Sequence, residues 1–79
     1  MPTLQELKPG KTARVIGLDD NCQGFERFRL LDLGVVPGTE ITHALDNPLH
    51  EPLAYFIRGA VIALRKNQAA KILVEIKGD

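Results

Sequence analysis

The stretch RLLDLGVVPGTEI, Arg29 to Ile41, decides the fold. Its first half keeps helical spacing, and Gly34 stands just past the last apolar helical residue. Helices commonly end there in the left-handed conformation that glycine adopts without penalty. Pro37 then presets φ for the first central position of a turn and Gly38 permits a positive φ at the second, the composition of a type II turn. Thr39 opens a β-branched segment, so the stretch reads as helix, two rigid corners, strand. Gly34, Pro37 and Gly38 are structural corners on this reading.

Working back from Arg29, FERFRLLDLG lacks strand alternation, and a helix is expected from about Gln23 to Leu33, entered through the polar residues Asp19, Asp20 and Asn21. Side chains follow one another by about 100° around a helix. That spacing puts Phe25, Phe28, Leu31 and Val35 on one side and Leu30 with Leu33 on nearly the opposite side. Further back, Lys11 to Leu18 alternates as a strand, with Ala13, Val15 and Gly17 on one face. Before it, Pro9-Gly10 marks a turn and TLQEL, Thr3 to Leu7, makes one helical turn that packs Leu4 and Leu7.

Working forward, TEITHALD (39–46), LAYFIRG (53–59), AVIALRK (60–66) and KILVEI (71–76) are β-rich runs bounded by turn chemistry. Gly59 separates the second and third of these without a true loop, which predicts a tight turn or a bulge between paired strands. NQAA, 67–70, reads as a short helical turn. No crossover helices are present to build a parallel sheet. Five short strands in 79 residues cannot make two full sheets, so the expected fold is all-β with one inserted helix, a strongly bent, partly closed antiparallel barrel. The chain from 1 to 79 is expected to be a single domain.

Ten Lys+Arg residues balance ten Asp+Glu residues, so no global field draws in nucleic acid or an anionic membrane. Cys22 is the one cysteine, which excludes an intramolecular disulfide and any multi-thiolate metal site. No signal-peptide h-region and no membrane-length apolar run are present, and a cytoplasmic protein is expected.

The order Leu-x-x-Leu-Gly-x-x-Pro-Gly at the opening stretch, a Pro-containing hairpin in NPLHEP, and then FIRGAVIALRKNQAAKILVEI resembles the FeoA family of bacterial ferrous iron uptake. The resemblance runs from about Leu7 to Ile76. It implies a small five-stranded antiparallel SH3-like barrel with an inserted helix. It also implies an accessory or regulatory protein, not an enzyme, that contacts the cytoplasmic G domain of the Fe(II) transporter FeoB and meets the membrane only through it. Family members often carry Gly-Asp between the two hairpin prolines, where this chain has His50-Glu51.

Little in the chain points to catalysis. Cys22 lies just before the helix, where the dipole favours a thiolate, but no histidine pairs with it in sequence. His43 shares its strand face with Ile41 and Leu45 and is expected to be a packed core histidine. His50, with Glu51 beside it and Asp46 four residues back, is the one candidate divalent-metal group, the basis of an alternative role as a small metal sensor or chaperone. No phosphate-binding glycine loop is present. No cofactor is expected beyond weak divalent-metal binding.

The two-striped helix carries most of the functional information. Leu30 and Leu33 match the family's leucine spacing and are expected to point inward, leaving Phe25, Phe28 and Leu31 for a partner. The competing arrangement sinks the helix into a groove lined by Leu4 and Leu7 and buries both stripes.

Overall fold

The computed structural model describes residues 1–45 and 51–78. A 3-10 turn at Leu4–Glu6 leads into strand β1 (Thr12–Leu18), helix α1 (Gly24–Asp32), strands β2 (Glu40–His43), β3 (Leu53–Ile57) and β4 (Ala60–Leu64), the short helix α2 (Lys66–Ala69) and strand β5 (Ile72–Ile76). The strands form one antiparallel sheet in the order β4-β3-β2-β1-β5. β1 is shared, pairing with β2 through Ala13↔Ile41 and with β5 through Val15↔Val74. One five-stranded antiparallel sheet with an inserted helix is the predicted fold class.

Register follows from which residues are apolar on alternate positions. Ala13, Val15, Ile41, Tyr55, Ile57, Ile72 and Val74 all turn inward and are fully buried, and Leu4, Leu7, Leu30, Val35 and Leu64 close the core around them. The outer face of the same sheet mixes ion pairs and hydroxyls with exposed apolar side chains, Phe56 opposite Val61 among them. Lys77 reaches Glu40 at 2.6 Å, Arg14 faces Glu75 at 3.8 Å, and the Thr12 and Thr42 hydroxyls meet at 2.9 Å. Gly17 does not continue the inward row of Ala13 and Val15 as its alternation predicts. The β1–β5 register shifts between Val15 and Gly17, and this bulge leaves Gly17 half-buried.

The two corners take the expected forms. Past the end of α1, Gly34 has φ 99°, its N–H donates to Leu31 O at 3.0 Å, and the Val35 N–H donates to Leu30 O at 2.9 Å. This pair of bonds is a Schellman motif, which satisfies carbonyls the helix leaves open and brings Val35 down beside Leu30. Val35 is therefore a core residue, against the expectation that it extends the Phe25 stripe, because the helix stops at Asp32 and the left-handed glycine redirects the chain. The Thr39 N–H then donates to Val36 O at 3.0 Å across Pro37-Gly38, with Gly38 at φ 94°. Gly38 N–H to Val15 O at 2.9 Å and Val15 N–H to Thr39 O at 2.8 Å fasten that turn to β1.

β3 and β4 are joined by Arg58-Gly59 alone, with Ile57 opposite Ala60 and both turn residues at positive φ (50° and 80°). That geometry suits the right-handed strand twist, and it places an arginine where asparagine or glycine is usual. β2 ends at His43, short of the run predicted to 46, although the Ala44 N–H still bonds Ala54 O at 2.9 Å. At the other margin, Thr3 bridges Leu73 and the Val74 N–H donates to Pro2 O at 3.0 Å, so the N-terminal segment lies along β5. Leu4 and Leu7 are buried there, as the packing of that turn predicts.

Candidate functional site: the outward face of the inserted helix

Helix α1 is held at both ends and along one line. Before it, Asn21 N–H donates to Asp19 Oδ1 at 2.8 Å and Cys22 N–H to Asp19 O at 2.9 Å, a tight turn that drives the Cys22 side chain into the core. Gln23, predicted as the first helical residue, instead caps it with extended backbone, and its side chain bonds Asp20 O at 2.6 Å. Glu26 in the first turn is favourably placed against the helix dipole and binds Lys71 Nζ at 2.7 Å, just before β5. Leu30 is the fully buried helical residue, and the Schellman turn with Val35 completes the attachment.

The remaining arc of the helix touches little. Phe25 is 93% exposed, Phe28 70% and Leu31 37%, and Gly24, Phe25 and Phe28 line an open apolar groove of about 460 Å³. Leu33 is half-buried beside the fully buried Leu30, so the inward assignment holds in full for Leu30 and in part for Leu33. Leu4 and Leu7 pack into the sheet's core and do not cover the phenylalanines. The arrangement that buries both stripes is thereby excluded. A single exposed apolar residue on a small domain is ordinary, whereas two phenylalanines one turn apart form a patch.

The other candidate groups fall differently. Asp46 and His50 lie outside the described residues. Glu51 is exposed, and its Oε2 accepts from the Lys66 N–H at 3.2 Å. Among the described residues no three His, Cys, Asp or Glu side chains converge as a metal site. His43 is buried, stacks at 4.8 Å on Tyr55, and places Nδ1 2.7 Å from Leu7 O, tying β2 to the N-terminal segment as a structural residue. The Cys22 thiol is not acidified by the helix. Burial first, and then the nearby Glu26 carboxylate, push its pKa up.

Two features were not read from the sequence. The Tyr55 hydroxyl is fully buried with no hydrogen-bond partner among the described residues, and burial pushes its pKa up to about 12. Arg58 lies against Gly34, a contact between residues 24 apart whose only local signal is the neighbouring Gly59.

The sequence model of the FeoA domain matches residues 3–76. The chain belongs to the FeoA domain family. That family serves ferrous iron transport, and its members are small accessory domains of SH3-like fold. Over 73 residues the chain is 37% identical to a Porphyromonas gingivalis protein in which Fe(2+) transport protein A is fused to the Fe(2+) transporter FeoB. The match covers 92% of this chain and 8% of that much longer protein. Among solved structures, the FeoA protein of Chlorobium tepidum superposes with a TM-score of 0.85 at 32% identity, covering 98% of this chain and 71% of that one. The FeoA of Stenotrophomonas maltophilia, solved in complex with zinc and described as a prokaryotic SH3 domain protein, gives 0.82 at 30% identity, covering 95% and 91%. No helix among the described residues is long and apolar enough to cross a membrane.

Proposed function

We propose that this FeoA domain works on the cytoplasmic side of the membrane as an accessory protein of ferrous iron uptake. It acts through contact with the cytoplasmic G domain of FeoB, and not through catalysis. The observation that carries the reading is the pair Phe25 and Phe28, held in the open on a helix whose opposite side is fastened by Leu30 and the Glu26–Lys71 ion pair. Aromatic side chains in such positions dominate interface energies when a partner desolvates them. The Porphyromonas gingivalis relative supports the choice of partner, because one polypeptide there joins both components. On this reading the exposed stripe of Phe25, Phe28 and Leu31 is the FeoB-facing surface, and Gly34, Pro37 and Gly38 fix the direction in which it faces.

The test is binding of Phe25→Ala and Phe28→Ala variants to purified FeoB, with thermal stability measured alongside. Loss of binding at unchanged stability supports the surface. Full binding by the double variant overturns it and moves attention to the segment 48–52.

A second reading, a small divalent-metal sensor or chaperone using Asp46, His50 and Glu51, draws on one observation, that the Stenotrophomonas maltophilia relative was solved with zinc. It requires a ligand set of strong donors, which the described residues do not assemble.

A further inference from the structure

We propose that the surface receiving α1 is an apolar protein cleft edged with carboxylates, gripped by Arg27 and Arg29 on either side of the phenylalanine stripe. The inference rests on the reading of that stripe as a partner surface and adds what the partner must present. At about 100° per residue, taking Phe25 as origin, Phe28 falls near 300° and Leu31 near 240°. On the same count Arg29 falls near 40° and Arg27 near 200°. The two arginines thus bracket the apolar arc from opposite margins. Both are exposed, and neither enters an ion pair among the described residues.

The acidic residues of the helix sit so that this margin stays positive. Glu26 falls near 100°, toward the attached side, and Lys71 neutralises it at 2.7 Å. Asp32 lies on the outward arc, but in the last turn, beyond Phe28 and close to the corner where Arg58 covers Gly34. The first two turns therefore present two rings and two guanidiniums with no opposing carboxylate on that arc. Guanidinium groups form two-pronged hydrogen bonds with carboxylates and keep their charge at any physiological pH. The open groove between Gly24, Phe25 and Phe28 leaves space for an apolar side chain of the partner.

Charge decides among occupants. A second copy of this chain would bring two arginines against two arginines, with Asp32 as the single carboxylate on the face. An anionic bilayer would gain only about 1 kcal/mol for each cation near its surface, and it would repel Asp32. An acidic-rimmed protein cleft satisfies both arginines and desolvates both rings.

The experiment uses the full chain and detergent-solubilised full-length FeoB, with association followed at rising salt for wild type, Arg27→Glu/Arg29→Glu and Phe25→Ala/Phe28→Ala. Circular dichroism controls for folding, which these exposed positions should leave intact. The expected result is a wild-type on-rate that falls with salt and a charge-reversal variant slower by roughly tenfold or more at low salt, converging with wild type as screening grows. Charge reversal without effect, while the phenylalanine variant fails to bind, overturns the acidic rim and leaves the stripe standing as the surface. If wild type and both variants bind alike, or none binds, the stripe reading falls and this inference falls with it. Arginine-dependent binding to phosphatidylglycerol vesicles without binding to FeoB, or an arginine-dependent dimer in sedimentation, replaces the protein cleft with a bilayer or a second copy.

Discussion

The side chain of Arg58 crosses Gly34 so closely that a Cβ on residue 34 would lie 2.6 Å from Arg58 Cδ and 2.8 Å from its Nε. The end of α1 and the β3–β4 turn are thereby packed on each other, although each is a local motif with its own glycine. Gly34 is constrained twice, by its φ of 99° and by its neighbour.

Gly34→Ala should cost about 1 to 3 kcal/mol, since an L side chain at positive φ is strained and Arg58 must also move. Arg58→Gly removes the obstructing side chain and places glycine at a positive φ. The cost of Gly34→Ala should then shrink by at least about 0.5 kcal/mol in that background, as neighbouring sites couple. A double-mutant cycle by urea denaturation gives the number, and strict additivity would refute the packing argument.

Leu30→Ala should lower stability by about 2 to 5 kcal/mol, because it opens a cavity where helix meets sheet. Leu33→Ala should cost less than that, its side chain being half-buried. Phe28→Ala should stay within about 0.5 kcal/mol of wild type, as exposed positions do, yet weaken FeoB binding by roughly 1 to 3 kcal/mol, about five- to a hundred-fold or more. Thermal denaturation and binding measured on the same variants separate the two faces; unfolding by Phe28→Ala would reverse their assignment.

Tyr55 gives a pH prediction. Its folded pKa of about 12 stands above the ordinary tyrosine value, so the folded state holds the phenol proton more tightly than the unfolded chain does. Stability from this source is intact below about pH 10 and is lost as the pH climbs toward 12. The loss near pH 11 should be roughly 1 kcal/mol. Lys71, whose pKa its hydrogen bond to Glu26 raises, adds a loss of the same sign in the alkaline range. Tyr55→Phe should abolish the tyrosine part and, by removing a buried hydroxyl that has no hydrogen-bond partner among the described residues, leave stability at neutral pH equal or higher by up to about 2 kcal/mol. Urea midpoints at neutral and alkaline pH provide the check; a clear destabilisation by Tyr55→Phe at pH 7 would show that the hydroxyl is satisfied.

The domain by itself should bind Fe(II) or Zn(II) only weakly, in the micromolar range or above, since the described residues bring no three strong donors together. Anaerobic titration calorimetry tests this. A stoichiometric, sub-micromolar site abolished by His50→Ala would promote the metal-sensing role over partner contact.

Much of this architecture is legible in the residues, because its decisive steps are local. A glycine after the last helical leucine, Pro-Gly before a β-branched run, and Arg58-Gly59 between two apolar strands each act within four or five residues, through φ preferences and short-range hydrogen bonds. Alternation likewise grouped Ala13 with Val15 and Ile41 with His43, the rows of β1 and β2 that turn inward, although the bulge before Gly17 breaks the β1 row. The helix wheel separated Leu30 from Phe25 and Phe28 without any tertiary information.

Other outcomes depended on which surfaces meet, and local chemistry does not encode that. Val35 lies at the helical spacing of the phenylalanine stripe and yet enters the core, because the Schellman turn reverses the chain before another helical turn can form. Both leucine and phenylalanine stripes are apolar, and only the packing of α1 over the sheet left the phenylalanines in water. The dipole at Cys22 pointed to an acidified thiol, but burial and Glu26 reversed the direction. The buried Tyr55 hydroxyl, without a partner among the described residues, and the Arg58–Gly34 contact arise where distant segments converge. Sequence determined the elements, their order and their corners through short-range sterics. Tertiary structure decided which helix face is exposed and which polar groups are stripped of water, because burial is set by the whole chain at once.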